Sequence, residues 1–410
     1  MNPEPPERLR NLATQAVRRL QSRGFTAYWA GGCVRDVMMG RPPKDYDIAT
    51  NATPDQVAGL FPGAILVGRS FGVVRAPVDG VFMEVATFRR DAGYSDGRRP
   101  DQVSFSDPET DARRRDITIN AMFYDPVAAR LHDYVGGQTD IQAQVIRFVG
   151  DPAARIREDH LRMFRAVRFA TTLDFAMDAE AEAAIRRNAG LAARLSAERV
   201  RDELTRTLME ARRAGRALVK LDELGLLGVV LPEVAAMKGQ PQPPEFHPEG
   251  DVFAHTALML DLMEERQEPL AYAVLFHDIG KPATARLGPD RIRFDGHAEV
   301  GARMARDIMR RLRFPADEID TVAQCALNHM KMLNVRQMKE STLRRLAGAP
   351  TFPLDLELHR LDCLASHGDL ANYRFLTDFG KRLAAEPVLP PPWVTGHDIM
   401  AMGVPEGREV

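Results

Sequence analysis

Residues 31 to 50 read GGCVRDVMMGRPPKDYDIAT, which sets a glycine turn, a short helix and a pair of carboxylates close together. The apolar run from Phe25 to Ala30 predicts a strand entering Gly31 and Gly32. There the missing side chains let the backbone approach a ligand and leave amides free to meet phosphate oxygens. Val34, Val37 and Met38 fit a short helix stopped by Gly40, and Pro42-Pro43 turns the chain. In Asp45-Tyr46-Asp47-Ile48, the two-residue period of a strand puts both carboxylates on one face and Tyr46 and Ile48 on the other. Such hard oxygen donors suit Mg2+, and Glu84, in the apolar strand Val81 to Phe88, is placed to add a third carboxylate from a neighbouring strand. The set fits nucleotidyl transfer, in which two metal ions roughly 4 Å apart stabilise the attacking and leaving oxygens.

Four further stretches follow in order. Residues 84 to 104 read EVATFRRDAGYSDGRRPDQVS and residues 113 to 121 read RRRDITINA. Residues 157 to 162 read REDHLR, with Arg165 and Arg168 beyond them, and residues 198 to 204 read ERVRDEL. With residues 31 to 50, they resemble the signature motifs of the class II CCA-adding enzymes (tRNA nucleotidyltransferases) and the closely similar bacterial poly(A) polymerases. The resemblance implies an α/β, polymerase-beta-like nucleotidyltransferase head over residues 1–148 and an all-α neck over 149–238. Asp45, Asp47 and Glu84 are then catalytic, with Mg2+ on Asp45 and Asp47. Gly31, Gly32, Arg35, Arg115, Asp116, Asn120, Asp159, Arg162, Arg165 and Arg168 bind the nucleotide. Arg90, Asp91 and Tyr94 belong to a flexible loop, and Arg199, Arg201 and Arg206 face RNA.

Asp159 and Arg162 are three apart, so on one helix they share a face and present an acceptor and a forked donor to one ligand. Cytosine and adenine both show an amino donor beside a ring-nitrogen acceptor. Uracil and guanine reverse that pattern and leave buried polar groups unpaired, which supports discrimination of about 10⁴. The triple arginine 113–115 leads into Ile117, Ile119 and Ala121, whose alternation predicts a buried strand with Arg115 and Asp116 turned toward the nucleotide's sugar and triphosphate.

The proline-rich stretch 239–244 predicts a domain boundary. Beyond it, seven of the ten histidines fall between residues 247 and 367. His255, His277-Asp278 and Asp362 match the H…HD…D pattern of the HD superfamily of metal-dependent phosphohydrolases. The resemblance implies an all-α HD domain over 246–370 whose site holds a divalent transition metal (Mn, Ni, Co or Fe) or Mg. His297 and His329 are the candidates either to complete a binuclear site or to bind phosphate, while His247, His359 and His367 read as ordinary core or surface residues. Residues 371–410 are expected to form a C-terminal helical fragment, in which residues 393 to 410, WVTGHDIMAMGVPEGREV, resemble the start of a closing helical element that normally runs further.

Net charge is only −2, but residues 155 to 220 carry 15 Lys and Arg against 10 Asp and Glu, a local basic stripe suited to a tRNA acceptor stem and 3′ end. Three cysteines, no signal-like start and no apolar run of spanning length point to a cytoplasmic protein, monomer or dimer, with no membrane partner. The leading expectation is CCA addition from CTP and ATP, with a second phosphohydrolase activity in the HD domain. A-only addition and poly(A) synthesis are the alternatives, as is an HD phosphohydrolase with an RNA-binding head. LVGRSFG at residues 66 to 72 departs from the poly(A) polymerase form, in which a second basic residue precedes the phenylalanine.

Overall fold

The computed structural model describes residues 4–67, 72–93, 102–245, 247–385 and 400–402, so Tyr94 and most of the LVGRSFG stretch lie outside the described residues. The first helix, α1 (Pro6–Gln21), buries Leu12, Ala13, Ala16, Val17 and Leu20. Each such leucine contributes roughly 1.5–3 kcal/mol. Gly24, at a φ of +83°, lies just beyond the helix end.

Among the described residues, nine strands of three or more residues follow in the head. They are β1 (Ala27–Ala30), β2 (Asp47–Thr50), β3 (Ile65–Val67), β4 (Val73–Val78), β5 (Val81–Thr87), β6 (Arg89–Ala92), β7 (Gln102–Phe105), β8 (Phe123–Asp125) and β9 (Arg130–His132). Seven form one sheet in the order β3-β4-β5-β2-β1-β8-β9, while β6 and β7 pair as a separate hairpin. Only β2 and β5 run parallel within the large sheet, and their register sets Asp47 beside Glu84. The intervening helices are α2 (Gly32–Met38), α3 (Pro54–Leu60), α4 (Pro108–Arg113) and α5 (Gly137–Ala143). Thr53 closes a full capping box with Gln56 at the start of α3, and Pro54 takes the first helical position.

The strand predicted through Ile117, Ile119 and Ala121 is not there. Ile117 makes a single bridge to Phe148, and Thr118–Asn120 is a turn of 3₁₀ helix. All three apolar residues are buried, so the alternation reported burial correctly and backbone form wrongly.

From Asp151 the chain is helical: α6 (Pro152–Glu158), α7 (Arg162–Leu173), α8 (Ala179–Asn188), α9 (Ala197–Glu210), α10 (Ala214–Glu223), α11 (Leu227–Val230) and α12 (Pro232–Ala235). The third part contains α13 (Val252–Asp261), α14 (Glu268–Phe276), α15 (Lys281–Thr284), α16 (His297–Arg311), α17 (Ala316–Asn328), α18 (Glu340–Ala347), α19 (Phe352–Ala365) and α20 (Ala371–Ala385). Two-residue strand pairs, 145–146 with 176–177 and 286–287 with 292–293, are the only extended pairings among the described residues of these parts. One continuous apolar core runs from Ile117 through α7–α10 to Leu361 on α19, whereas the sheet and α1 enclose a separate core. The proline-rich stretch therefore links two helical parts that share an interior. Gly215 on α10 marks their closest approach, since a Cβ there would lie 1.8 Å from the Ala257 carbonyl on α13. Among the described residues no helix is long and apolar enough to cross a membrane.

Candidate functional site

Where the head meets the neck, an open cleft of about 540 Å³ is lined by twelve of the predicted residues: Gly31, Gly32, Arg35, Asp45, Asp47, Arg115, Asp116, Asn120, Asp159, Arg162, Arg165 and Arg168. Gly31 sits at φ 76°, ψ −131°, outside the range of other residues, and a Cβ there would stand 3.2 Å from Nη1 of Arg115. The glycine turn thus lets the β1–α2 corner and the Arg115 guanidinium meet. Tyr46 and Ile48 are buried while Asp45 and Asp47 are exposed, the alternation read from the sequence. Partial enclosure in the cleft, and then repulsion from Asp45 and Glu84, push the Asp47 carboxyl up to about 6, against the pull of Arg115. Three carboxylates gathered with so little positive charge between them fit a divalent cation.

Most cleft arginines are held by named partners. Arg35 donates to Asn120 Oδ1 at 2.8 Å and Arg165 to the half-buried Asp116 at 2.7 Å. Arg168 is buried on Glu203 at 2.6 Å and Glu210 at 2.9 Å. Phe169, unforeseen in the sequence, has the guanidinium carbons of Arg35, Arg165 and Arg168 within 5.5, 5.3 and 4.4 Å of its ring.

Asp111 is a second unforeseen residue. Its buried carboxylate accepts from Arg114 through Oδ1 at 2.5 Å and from Arg115 through Oδ2 at 3.1 Å, and Oδ1 also accepts the Arg89 amide at 3.2 Å. Arg114, which also lines the cleft, reaches Asp91 Oδ2 at 3.3 Å, so the base of the β6–β7 hairpin is tied to the cleft. Arg90 lies exposed on β6.

Asp159 and Arg162 do not share a helix. Asp159 caps the end of α6 in extended backbone, its Oδ1 accepts the Leu161 amide at 3.0 Å, and Arg162 opens α7. Their partners differ too: Arg199 holds Asp159 Oδ2 at 2.7 Å, and Arg162 holds Glu158 at 2.5 Å. The helix break still leaves both side chains on the cleft. Arg199, expected to face RNA, instead pairs with Asp159, which lines the cleft. Arg201 donates to the Arg313 carbonyl beside Phe314, and Arg206 is exposed.

A second constellation lies in the third part. His277 and Asp278 follow α14, His255 lies on α13, His297 opens α16, His329 follows α17 and Asp362 lies on α19. Three of the imidazoles are oriented by backbone carbonyls through Nδ1: His277 on Val274 at 2.8 Å, His297 on Phe294 at 2.7 Å and His329 on Ala326 at 2.6 Å. Each Nε2 is thereby aimed at Asp278, at 3.1 Å from Oδ2 for His277 and 3.5 Å from Oδ1 for both His297 and His329. Nε2 of His255 lies 3.1 Å from Asp362 Oδ1, and the Nε2 atoms of His255 and His277 are buried without a hydrogen-bond partner. Lone pairs facing oxygens at this distance require a shared proton or a metal, and the donor set suits a divalent metal. Burial disfavours charge on His255, but the Asp362 and Glu249 carboxylates outweigh it and lift its pKa to about 9. Burial dominates at His297, which falls to about 4. Lys281 pairs with Asp278 Oδ2 at 2.6 Å. His247, read as ordinary, stacks edge-on against His255 and shares Glu249 with it, whereas His359 is buried near Cys363 and His367 serves the adjoining turn.

Comparison with known proteins agrees with this geometry. Residues 27–147 match the Poly A polymerase head domain, residues 174–238 the probable RNA and SrmB-binding site of polymerase A, and residues 251–366 the HD domain. The CCA-adding enzyme of Bacillus licheniformis is 43% identical over 215 residues, 52% of this chain and 54% of that protein. The chain thus spans about half the length of such relatives. The multifunctional CCA protein of Paracidovorax citrulli is 38% identical over 330 residues, 78% of this chain and 77% of its own length. Among solved structures, the Bacillus stearothermophilus CCA-adding enzyme in complex with CTP superposes with a TM-score of 0.74 at 28% identity, covering 98% of this chain and 89% of that one. On these grounds the chain belongs to the family of CCA-adding enzymes and bacterial poly(A) polymerases, in the branch that carries an HD domain.

Proposed function

We propose that this chain adds CCA to tRNA 3′ ends from CTP and ATP by two-metal nucleotidyl transfer, and that its HD domain is a phosphohydrolase. The observation that carries the first part is the union, in one cleft, of the carboxylates Asp45 and Asp47 with Arg162 and with Asp159, which Arg199 holds. Asp45 and Asp47, with Glu84 in register beside them, are the residues to hold Mg2+, which when bound neutralises charge on the attacking and leaving oxygens. Arg35, Arg115 and Arg165 line the place of the triphosphate, and the Gly31-Gly32 turn lets its oxygens approach the backbone. Arg199 fixes Asp159 so that its remaining lone pairs accept an exocyclic amino group, while Arg162, braced by Glu158, donates to the ring nitrogen. Cytosine and adenine satisfy that pair. The basic neck is the proposed seat of the tRNA acceptor stem, and the working domains are 1–148, 149–238, 246–370 and 371–410.

In the HD domain His255, His277, Asp278 and Asp362 are the proposed ligands of a first divalent metal. Asp278, His297 and His329, whose ligand atoms all lie within 4.8 Å of one another, are the proposed set for a second. The proposed substrates are 2′,3′-cyclic phosphates and related phosphoesters. Lys281, beside Asp278, offers a cation to the phosphate.

The deciding experiment supplies Mg2+ and tRNA transcripts ending at the discriminator base, at C and at CC, with CTP, ATP or both. Stepwise C, C, A that then stops supports the proposal. Addition of A to CC alone identifies an A-adding enzyme, an A ladder a poly(A) polymerase, and no extension shifts the principal activity to the HD site.

A further inference from the structure

Among the four histidines whose Nε2 atoms converge on the HD centre, three rest Nδ1 on neutral backbone carbonyls. His255 alone rests it on a carboxylate: Nδ1 lies 2.5 Å from Oε1 of Glu249. Glu249 belongs to the connection just before α13, its side chain is 8% exposed, and its second oxygen, Oε2, is buried without a partner. A carboxylate held this far from water, with one oxygen left over, is itself destabilising unless the contact it makes has a use. His247 touches the same Oε1 at 2.9 Å from the other side, stacked edge-on to His255 with ring centroids 4.9 Å apart. The pair fixes the carboxylate from two directions.

We propose that Glu249 is a positioning residue for metal binding in the HD domain: it fixes the tautomer and ring orientation of His255 and enriches the electron density at Nε2, making His255 the strongest imidazole donor of the set. This inference rests on the reading of the HD centre as a divalent-metal site. A carboxylate behind a ligating imidazole both fixes the ring and raises its basicity, and removing such a group typically lowers metal affinity by about 10–100-fold. Gln at this position keeps an oxygen that accepts from Nδ1 and removes only the charge, restoring the neutral support that the other three histidines have. Ala removes both.

The test titrates the full-length protein with Co2+ in excess Mg2+, which occupies the all-oxygen site of the head, and follows the visible absorption that Co2+ gains on imidazole ligation. Relative to wild type, Glu249→Gln is expected to weaken Co2+ binding by about 10-fold and Glu249→Ala by about 100-fold, with the number of bound ions unchanged. His247→Ala, which leaves the Glu249–His255 contact in place, is expected to keep wild-type affinity. Wild-type affinity in Glu249→Ala overturns the proposal. So does an equal loss in His247→Ala, or the loss of one bound ion with the rest held as tightly, which makes His247, Glu249 and His255 a metal site in their own right. Should Glu249→Ala fail to fold, judged by circular dichroism and melting, the shape-preserving Gln variant decides. A wild-type protein that shows no imidazole-ligated Co2+ rejects the metal reading of the HD centre, and this inference with it; bound Co2+ with unaltered variants rejects the inference alone.

Discussion

Replacing Asp47 with Asn is expected to stabilise the protein while abolishing nucleotidyl transfer. Folding partly withdraws the Asp47 carboxylate from water and sets it against Asp45 and Glu84, which together raise its pKa from 3.8 to about 6. Between those values the folded protein holds a proton that the unfolded chain releases. Stability contributed at this position is therefore lost as pH rises through that window, and above pH 6 the penalty is complete. A shift of this size corresponds to about 3 kcal/mol, and because the carboxylate is open to water in the cleft, screening reduces it to about 1 kcal/mol. The melting temperature of Asp47→Asn in EDTA at pH 7.5 should then exceed wild type by about 2–4 °C, and the advantage should vanish near pH 4. Mg2+ should raise the wild-type melting temperature and leave that of the variant unmoved. Transfer should fall about 1000-fold or more, since metal-ion charge stabilisation is a matter of several kcal/mol. A variant less stable than wild type at pH 7.5, or equally stabilised at both pH values, refutes the crowded-carboxylate account of this site.

Asp159→Ala should reduce discrimination against UTP and GTP from about 10⁴ toward about 10², read from single-turnover incorporation of each nucleotide. Arg199→Ala, which keeps the carboxylate and loses its anchor, should give an intermediate value. Asp111→Asn weakens two charge-assisted bonds to cleft arginines and should raise KM for CTP and ATP alike by about tenfold, with a smaller change in kcat. An unchanged KM would show that Arg115 keeps its place without Asp111. In Gly215→Ala the added methyl meets the Ala257 carbonyl, and overpacking of this kind costs about 1–3 kcal/mol, visible as a melting temperature lower by several degrees.

What the sequence discloses here depends on how local each signal is. The Gly31 turn and the carboxylate alternation at residues 45–48 are each settled within four or five residues, and each stands in the structure as read. The strand expected at residues 117–121 fails because apolar alternation reports burial, and a bridge followed by a 3₁₀ turn buries the same side chains. Asp159 and Arg162 fail as a helical pair because the Asp159 side chain accepts the Leu161 amide at the helix break. Aspartate readily accepts the amide two residues on in an Asx turn that competes with helix, and that signal is local to the sequence. Asp111 carried none. It is one of several acidic residues between 107 and 116, and only the hairpin base at Arg89 and Asp91, distant in sequence, makes it the buried one.

Helix α9 shows most directly what a one-dimensional reading leaves out. Resemblance to the family's last neck motif, in a locally basic stretch, implies that its arginines face RNA. In the structure one face of α9 turns Arg199 and Glu203 to Asp159 and Arg168 at the nucleotide cleft. Another face turns Arg201 to the Arg313 carbonyl and Thr205 to the Tyr272 hydroxyl at 2.9 Å on α14, five residues before the His277 ligand candidate. Helical periodicity places 199 with 203, and 201 with 205, on common faces; it does not say that both faces are covered. Because they are, α9 is a strut between the cleft at Asp159 and α14, the helix that His277 and Asp278 follow. Of its three arginines, only Arg206 is left exposed to meet a phosphate backbone.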